Sequence, residues 1–288
     1  GQEKYAARAC QGGGGSSRVD PLYTVDPIPG LQDVLGELGG SATVDAVIVD
    51  DDLGNLEAAV AAAKDADVVV IMAGLVATEG ADLPDMYLPN DQDQLITTVA
   101  PINPRTVLVL KNSSPVLMPW VNEVPVILET WNQGTEDGHV VADLLFGSVN
   151  PSGKVPTTYP RSADDTLIAG HPERYPGTDE GDGYPVIRYS EGLEMGYRWH
   201  QTQGIPPRFC FGFGLSYTSF ELSDVSVDRT EIDGTTPVTV TATVTNTGSR
   251  AGAEVVQVYL GVPSPGQPPK RLVGFGKVHL EAGASRTV

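Results

Sequence analysis

Residues 67–89, DVVVIMAGLVATEGADLPDMYLP, decide the fold. The stretch opens on an apolar, mostly β-branched run, Val68 to Met72, and breaks at Gly74 into a loop carrying Glu79, Asp82 and Asp85. A short apolar run bounded by glycine predicts a strand of a parallel sheet, buried on both faces. Ligands of open α/β sheets sit in the crevice beyond the carboxyl ends of the strands. Glu79 projects from such an end and is the best-placed carboxyl group for chemistry. A glutamate in a loop is ordinarily just solvated, so position is what sets it apart. Asp82 and Asp85 are expected to stay solvated or to cap turns.

Working outward, helices and strands alternate. Pro29 to Leu38 predicts a short helix with Leu31, Val34 and Leu35 on one face, and Val44 to Val49 a strand. Asn55 to Lys64 is Ala-rich and helical. Asn90 is the expected cap of a helix over Asp91 to Ala100. Thr106 to Leu110 and Pro125 to Leu128 are further apolar strands. After Gly134, Thr135 caps a helix that Gly147 closes. Such alternation argues for a mostly parallel sheet with helices on both faces, an α/β sandwich. Trp131 and Glu79 both follow strand ends and are expected to share one rim. Trp131 suits a sugar-stacking surface and a core position equally.

Residues 11–17, QGGGGSS, lack side-chain bulk and permit positive φ. A flexible linker and a turn beside a ligand both fit; a phosphate loop does not, because no Lys-Ser/Thr follows. Residues 150–160 carry three prolines, and 161–190 are rich in Pro, Gly and Asp, as in long loops. Phe209 to Phe220 alternates aromatics with glycines, as a packing joint between domains does. From Tyr217 the pattern becomes alternating apolar and polar residues, over Phe220 to Val227, Val238 to Val244 and Glu254 to Leu260, with a turn at Asn246-Thr247-Gly248. That is the chemistry of a small antiparallel β-sandwich. The expected division is 1–160 for the α/β part, 161–216 for an irregular connection and 217–288 for the β module.

The net charge of -19, from 37 acidic and 18 basic residues, argues against nucleic acid as a partner. No apolar run approaches the length of a membrane span. Cys10 and Cys210 have no metal-ligand spacing, and sequence leaves open whether they are bonded. His139 falls inside a helix, and His171, His200 and His279 are scattered. No metal and no cofactor are called for. The first and last residues look like cut points, so the chain is expected to be a fragment.

Four stretches together resemble the family 3 glycoside hydrolases, the β-glucosidase family: GGGGSSRVDP at 12–21, EGADLPDMYLP at 79–89, LLFGSVNPSGKVPTTYP at 144–160, and YSEGLEMGYRW (189–199) with FGFGLSYTSF (211–220). The resemblance covers nearly the whole chain. It implies an α/β sandwich followed by a fibronectin-III-like module, with the family's TIM-type barrel, a first strand before Gly1 and final strands after Val288 all lying elsewhere. The family motif is Glu-Gly-x-Asp-Arg followed by Leu-Pro. Glu79, Gly80, Asp82, Leu88 and Pro89 match it, while Leu83 stands where Arg is usual, which puts a local ion pair to Asp82 in doubt. By resemblance Glu79 is the general acid/base, Ser16 touches the sugar, and the nucleophile is an Asp of the barrel. The implied activity is retaining hydrolysis of β-linked glycosides or oligosaccharides, most simply β-glucosides. Such an acid must keep its proton near neutral pH. A loop Glu on an open rim is exposed, so the covering barrel is expected to raise its pKa. The competing reading is a carbohydrate-binding or scaffolding module without catalysis.

Overall fold

The computed structural model describes residues 1–11, 14–39, 41–231 and 233–288. Gly12 and Gly13 of the glycine-rich loop, Gly40 and Ile232 lie outside the described residues. The chain divides into two units, Gly1–Ser148 and Val149–Val288. Residues 150–160, expected with the α/β part, group with the second unit because their partners are there. Val155 N–H donates to Phe213 O at 2.8 Å, Tyr159 N–H to Phe209 O at 3.0 Å, and Asn150 Oδ1 accepts from Ser216 Oγ at 2.9 Å.

In the first unit the elements are α1 (Glu3–Ala6), α2 (Pro27–Glu37), α3 (Leu56–Asp65), β1 (Val69–Leu75), α4 (Gln92–Val99), β2 (Thr106–Asn112), β3 (Val126–Glu129) and α5 (Asp137–Phe146). The three strands form a parallel sheet in the order β1-β2-β3. Alternate side chains leave opposite faces. Val70, Met72, Val109 and Leu128 pack with Leu31 and Val34 of α2 and Val141 and Ala142 of α5. On the other face, Val69 and Ile71 line a cavity together with Ala59 and Ala63 of α3 and Leu95 and Val99 of α4. Burial on both sides is why β1 and β2 are almost unbroken apolar runs.

The structure moves several expected boundaries. α2 starts at Pro27, because proline suits the first helical turn. Asp91, in a left-handed conformation with φ 54°, replaces Asn90 as the cap of α4. A 3₁₀ turn over Gly134–Glu136 precedes α5, so Thr135 makes no cap bond and Asp137 begins the helix. Val44–Val49 is not a strand. Val49 makes one parallel bridge, to Gln2, and residues 44–48 are irregular. A strand needs a partner along its length, and here only Gly1–Gln2 lies alongside.

α2 and α5 cross at two glycines. A Cβ on Gly30 would sit 2.3 Å from the carbonyl carbon of Gly138, and a Cβ on Gly138 would sit 2.3 Å from Asp26 O. Both neighbours are backbone and cannot step aside. Gly138→Ala is therefore expected to destabilise this unit by at least about 1–3 kcal/mol in a urea titration. Gly36→Ala, on the same α2 with open space around it, should be neutral or stabilising.

His139 of α5 sits between two carboxylates. Its Nδ1 lies 2.7 Å from Glu136 Oε2 and its Nε2 lies 3.6 Å from Asp33 Oδ2. The Glu136 hydrogen bond holds the imidazole pKa above its ordinary value. A raised folded pKa gives stability that is complete below the unfolded value and lost as pH rises through the folded one. The unfolding midpoint should therefore fall slightly as pH rises through and above the ordinary imidazole range, and His139→Gln should flatten that slope.

In the second unit a two-stranded hairpin, β4 (Thr178–Asp179) with β5 (Pro185–Val186), interrupts the long loops, and α6 (Tyr197–Thr202) follows. The β module has β6 (Phe220–Val227), β7 (Val240–Asn246), β8 (Gly252–Leu260), β9 (Arg271–Leu280) and β10 (Ser285–Thr287). They form two antiparallel sheets, β10-β7-β6 and β8-β9. Val244, Val278 and Leu280 make the core, with Phe220, Val256 and Ala284 against it. The turn at Asn246 is built around its side chain. Nδ2 donates to Arg250 O at 2.7 Å and Leu280 O at 3.1 Å, and Oδ1 accepts from Thr218 Oγ1 at 2.7 Å. The aromatic stretch, expected as a joint between domains, makes these ring contacts within its own unit: Phe209 stacks on Phe213 and Phe211 on Tyr197.

Candidate active site

The carboxyl end of the parallel sheet carries the expected rim. Ser113, just past β2, ties its loops together. Its Oγ donates to Leu75 O at 3.2 Å and accepts from Ala77 N–H at 3.1 Å and Asn132 Nδ2 at 3.4 Å. The chain after β1 and the chain after β3 thus meet over one hydroxyl.

Glu79 stands at the tip of a tight turn whose ends, Thr78 and Ala81, form an antiparallel bridge. Gly80 takes φ +77°, the positive φ that the third position of such a turn requires, which explains Glu-Gly as a pair. Asp85 Oδ1 accepts from Tyr87 N–H at 2.8 Å and caps the next turn. Gln92, fully buried at the start of α4, fixes the base of the loop. Its amide exchanges two 2.9 Å hydrogen bonds with Gly74 and donates to Pro89 O at 2.8 Å.

The glycine-rich loop lies directly against this turn. Gly14 pairs with Thr78 in a parallel bridge. Ser16 N–H donates to Glu79 Oε2 at 2.6 Å, and Ser16 Oγ–H donates to the same oxygen. No side chain fits at the two glycines. A Cβ on Gly14 would lie 1.9 Å from Thr78 Oγ1, and one on Gly15, where φ is +76°, would lie 2.4 Å from Glu79 Cβ. At Gly14 and Gly15 the loop backbone approaches the Glu79 turn closely. Ser16 holds the Glu79 carboxyl below the ordinary carboxylate pKa, through its hydroxyl first and its N–H second. The side chain is exposed. The elevated pKa that an acid needs is thus not supplied by this unit.

Trp131 follows β3 in a left-handed conformation, φ 55°, with its N–H donating to Glu129 Oε1 at 3.1 Å. It is half-buried on the rim.

Beneath the rim sits a pair that the sequence reading missed. Lys111 and Asp137 are both fully buried, with Nζ 2.6 Å from Oδ2. Lys111 Nζ also donates to Tyr5 O at 2.8 Å and Arg8 O at 3.3 Å, and Cys10 N–H donates to Asp137 Oδ2 at 2.5 Å. The signal was a lysine closing the apolar run TVLVLK. Cys10 is a free buried thiol whose Sγ donates to Asn132 Oδ1 at 3.0 Å, and Cys210 is free and exposed. Among the described residues no group of three or more His, Cys, Asp or Glu has the arrangement of a metal site, and no helix is long and apolar enough to cross a membrane.

The first unit is thus an α/β unit whose parallel sheet carries a clasped carboxylate on its carboxyl rim, and an antiparallel β module follows it in the chain. Residues 2–217 match the glycosyl hydrolase family 3 C-terminal domain, and residues 254–288 match a fibronectin type III-like domain. The chain belongs to glycosyl hydrolase family 3. It is 43% identical over 235 residues to a β-glucosidase of Rhizobium radiobacter, covering 80% of this chain and 28% of that protein. It is 42% identical over 234 residues to thermostable β-glucosidase B of Acetivibrio thermocellus, covering 79% of this chain and 30% of that protein. Among solved structures, DesR, a β-glucosidase from Streptomyces venezuelae in complex with D-glucose, superimposes with TM-score 0.76 at 44% identity, over 81% of this chain and 29% of its own. A family 3 β-glucosidase of Bifidobacterium adolescentis gives TM-score 0.82 at 34% identity, over 100% of this chain and 41% of its own. The chain thus spans less than a third of the length of these curated relatives.

Proposed function

We propose that this chain is the acid/base-bearing portion of a retaining β-glycosidase that releases terminal β-D-glycosyl residues, with β-glucosides as the substrate class. The observation that carries the reading is Glu79: an exposed carboxylate at the tip of a braced turn, on the rim where α/β sheets bind ligands. The names of the relatives support the substrate class.

In this reading the TIM-type barrel of the same protein supplies an Asp nucleophile about 5–5.5 Å from Glu79. The Asp attacks the anomeric carbon as the glycosidic C–O bond breaks, and Glu79 gives its proton to the departing oxygen. Water then attacks the covalent intermediate and returns a proton to Glu79. Covering the rim desolvates Glu79 and brings a second carboxylate near it. Both raise its pKa against the pull of Ser16. In this reading Trp131 stacks on a sugar ring, and Ser16 lies where a sugar hydroxyl would approach the acid.

The test uses the intact protein with Glu79→Gly and azide. Azide needs no base to attack the covalent intermediate. Rescue of turnover with formation of a β-glycosyl azide is the expected result. Wild-type turnover in the Glu79→Gly protein would sink this reading and favour a binding or scaffolding role.

A further inference from the structure

Glu79 has two carboxyl oxygens, and the structure treats them differently. Oε2 accepts both the N–H and the Oγ–H of Ser16, while among the described residues none donates to Oε1. We propose that Ser16 is a positioning residue that reserves Oε2 as an acceptor and leaves Oε1 as the oxygen that carries and delivers the proton. The inference rests on Glu79 being the acid/base.

The argument is one of hydrogen-bond capacity. A neutral carboxyl group has one O–H and acceptor capacity on the remaining lone pairs. If the proton sat on Oε2, it would compete with two donors already aimed there. The hydroxyl of Ser16 can rotate away, but its N–H cannot. That N–H is fixed by the Gly14–Thr78 bridge and by Gly15, packed so tightly that a Cβ would lie 2.7 Å from Oε2. A proton on Oε1 keeps both bonds. The clasp therefore holds the plane of the carboxyl in one orientation through both protonation states. Glu79 needs that orientation because it must donate to the leaving oxygen and then accept from water along the same line.

The clasp also favours the charged form, since two donors to a carboxylate lower its pKa. Orientation and proton affinity thus pull against each other. A serine that touched only sugar would affect substrate binding and leave the acid's titration unchanged.

The experiment compares Ser16→Ala, Ser16→Thr and Glu79→Gln in the intact protein, by pH profiles of kcat/KM on an alkyl β-glucoside. In Ser16→Ala the lost donor should raise the pKa of Glu79, moving the basic limb up by about one pH unit. Turnover of this poor-leaving-group substrate should fall about 10–100-fold from misorientation. Ser16→Thr keeps the hydroxyl and should restore the limb toward wild type. A Ser16→Ala limb that stays in place, or a change confined to KM, overturns the inference. Glu79→Gln is the control for the underlying reading. If it abolishes the basic limb while Ser16→Ala leaves that limb unmoved, the clasp inference alone fails. If Glu79→Gln leaves the limb intact, the acid/base reading fails with it. A carboxyl-carbon NMR titration of Glu79 in the same proteins reads the shift without catalysis, and an unchanged midpoint in Ser16→Ala overturns the inference even if activity is lost.

Discussion

Asp137→Ala or Lys111→Met, made singly, lowers the stability of the α/β unit by about 3–5 kcal/mol. Both side chains have zero exposure, and burial pushes the Asp137 carboxyl pKa up and the Lys111 ammonium pKa down. Each charge is thus costly to bury, and the 2.6 Å contact with its partner offsets that cost. Removing one partner leaves the other charge dry and uncompensated. The damage would spread, because Lys111 also holds Tyr5 O and Arg8 O, and Asp137 holds Cys10 N–H. These bonds fasten the segment that leads into the Gly14–Ser16 clasp. The double variant Lys111→Met with Asp137→Asn removes both charges and keeps an amide oxygen for Cys10 N–H. It should lose much less than the sum of the two single changes. Urea unfolding followed through the fully buried Trp120 measures all of them. Single variants within about 1 kcal/mol of wild type would contradict this account of the pair.

The core of the fold was legible because hydrophobic burial writes itself into residue type. β1 and the Val107–Leu110 part of β2 are apolar, and α5 carries its closing Gly147 at φ +76°. The strand expected at Val44–Val49 shows the limit of that code. Weak alternation describes a segment that suits a strand, yet pairing depends on a neighbour that local sequence does not name. β9 was missed for a related reason. Gly274 and Gly276 interrupt its pattern, and its ladder with β8 is visible only in three dimensions.

The candidate site divides in the same way. Glu79 and Ser16 were each singled out, one by its position after a strand and one by resemblance. Their contact, across 63 positions of sequence, was not legible. The roles of Gln92 and Lys111 were hidden too, because buried polar residues act through long-range bonds that leave no local period. What sequence did hold was the glycine pair at 14 and 15, whose bareness is now explained by the carboxylate it borders.

On the proposed acid/base reading, Glu79→Ala in the intact protein is expected to lower kcat/KM for substrates with poor leaving groups by about 10²–10⁴-fold. The size follows from what the proton does. An alkoxide leaves slowly unless it is protonated as the C–O bond breaks, so loss of the acid falls fully on that step. A nitrophenolate leaves unaided, and its kcat/KM should change little. The second step still lacks its base, so water attacks slowly and the covalent intermediate accumulates. With aryl substrates the variant should therefore show a lower kcat together with a lower KM, and a burst of released phenol. The basic limb of the pH profile should vanish with the side chain that titrates. This combination separates the acid/base role from a structural one. A change that merely loosened the turn at Thr78–Ala81 would depress both substrate classes alike and leave the limb in place.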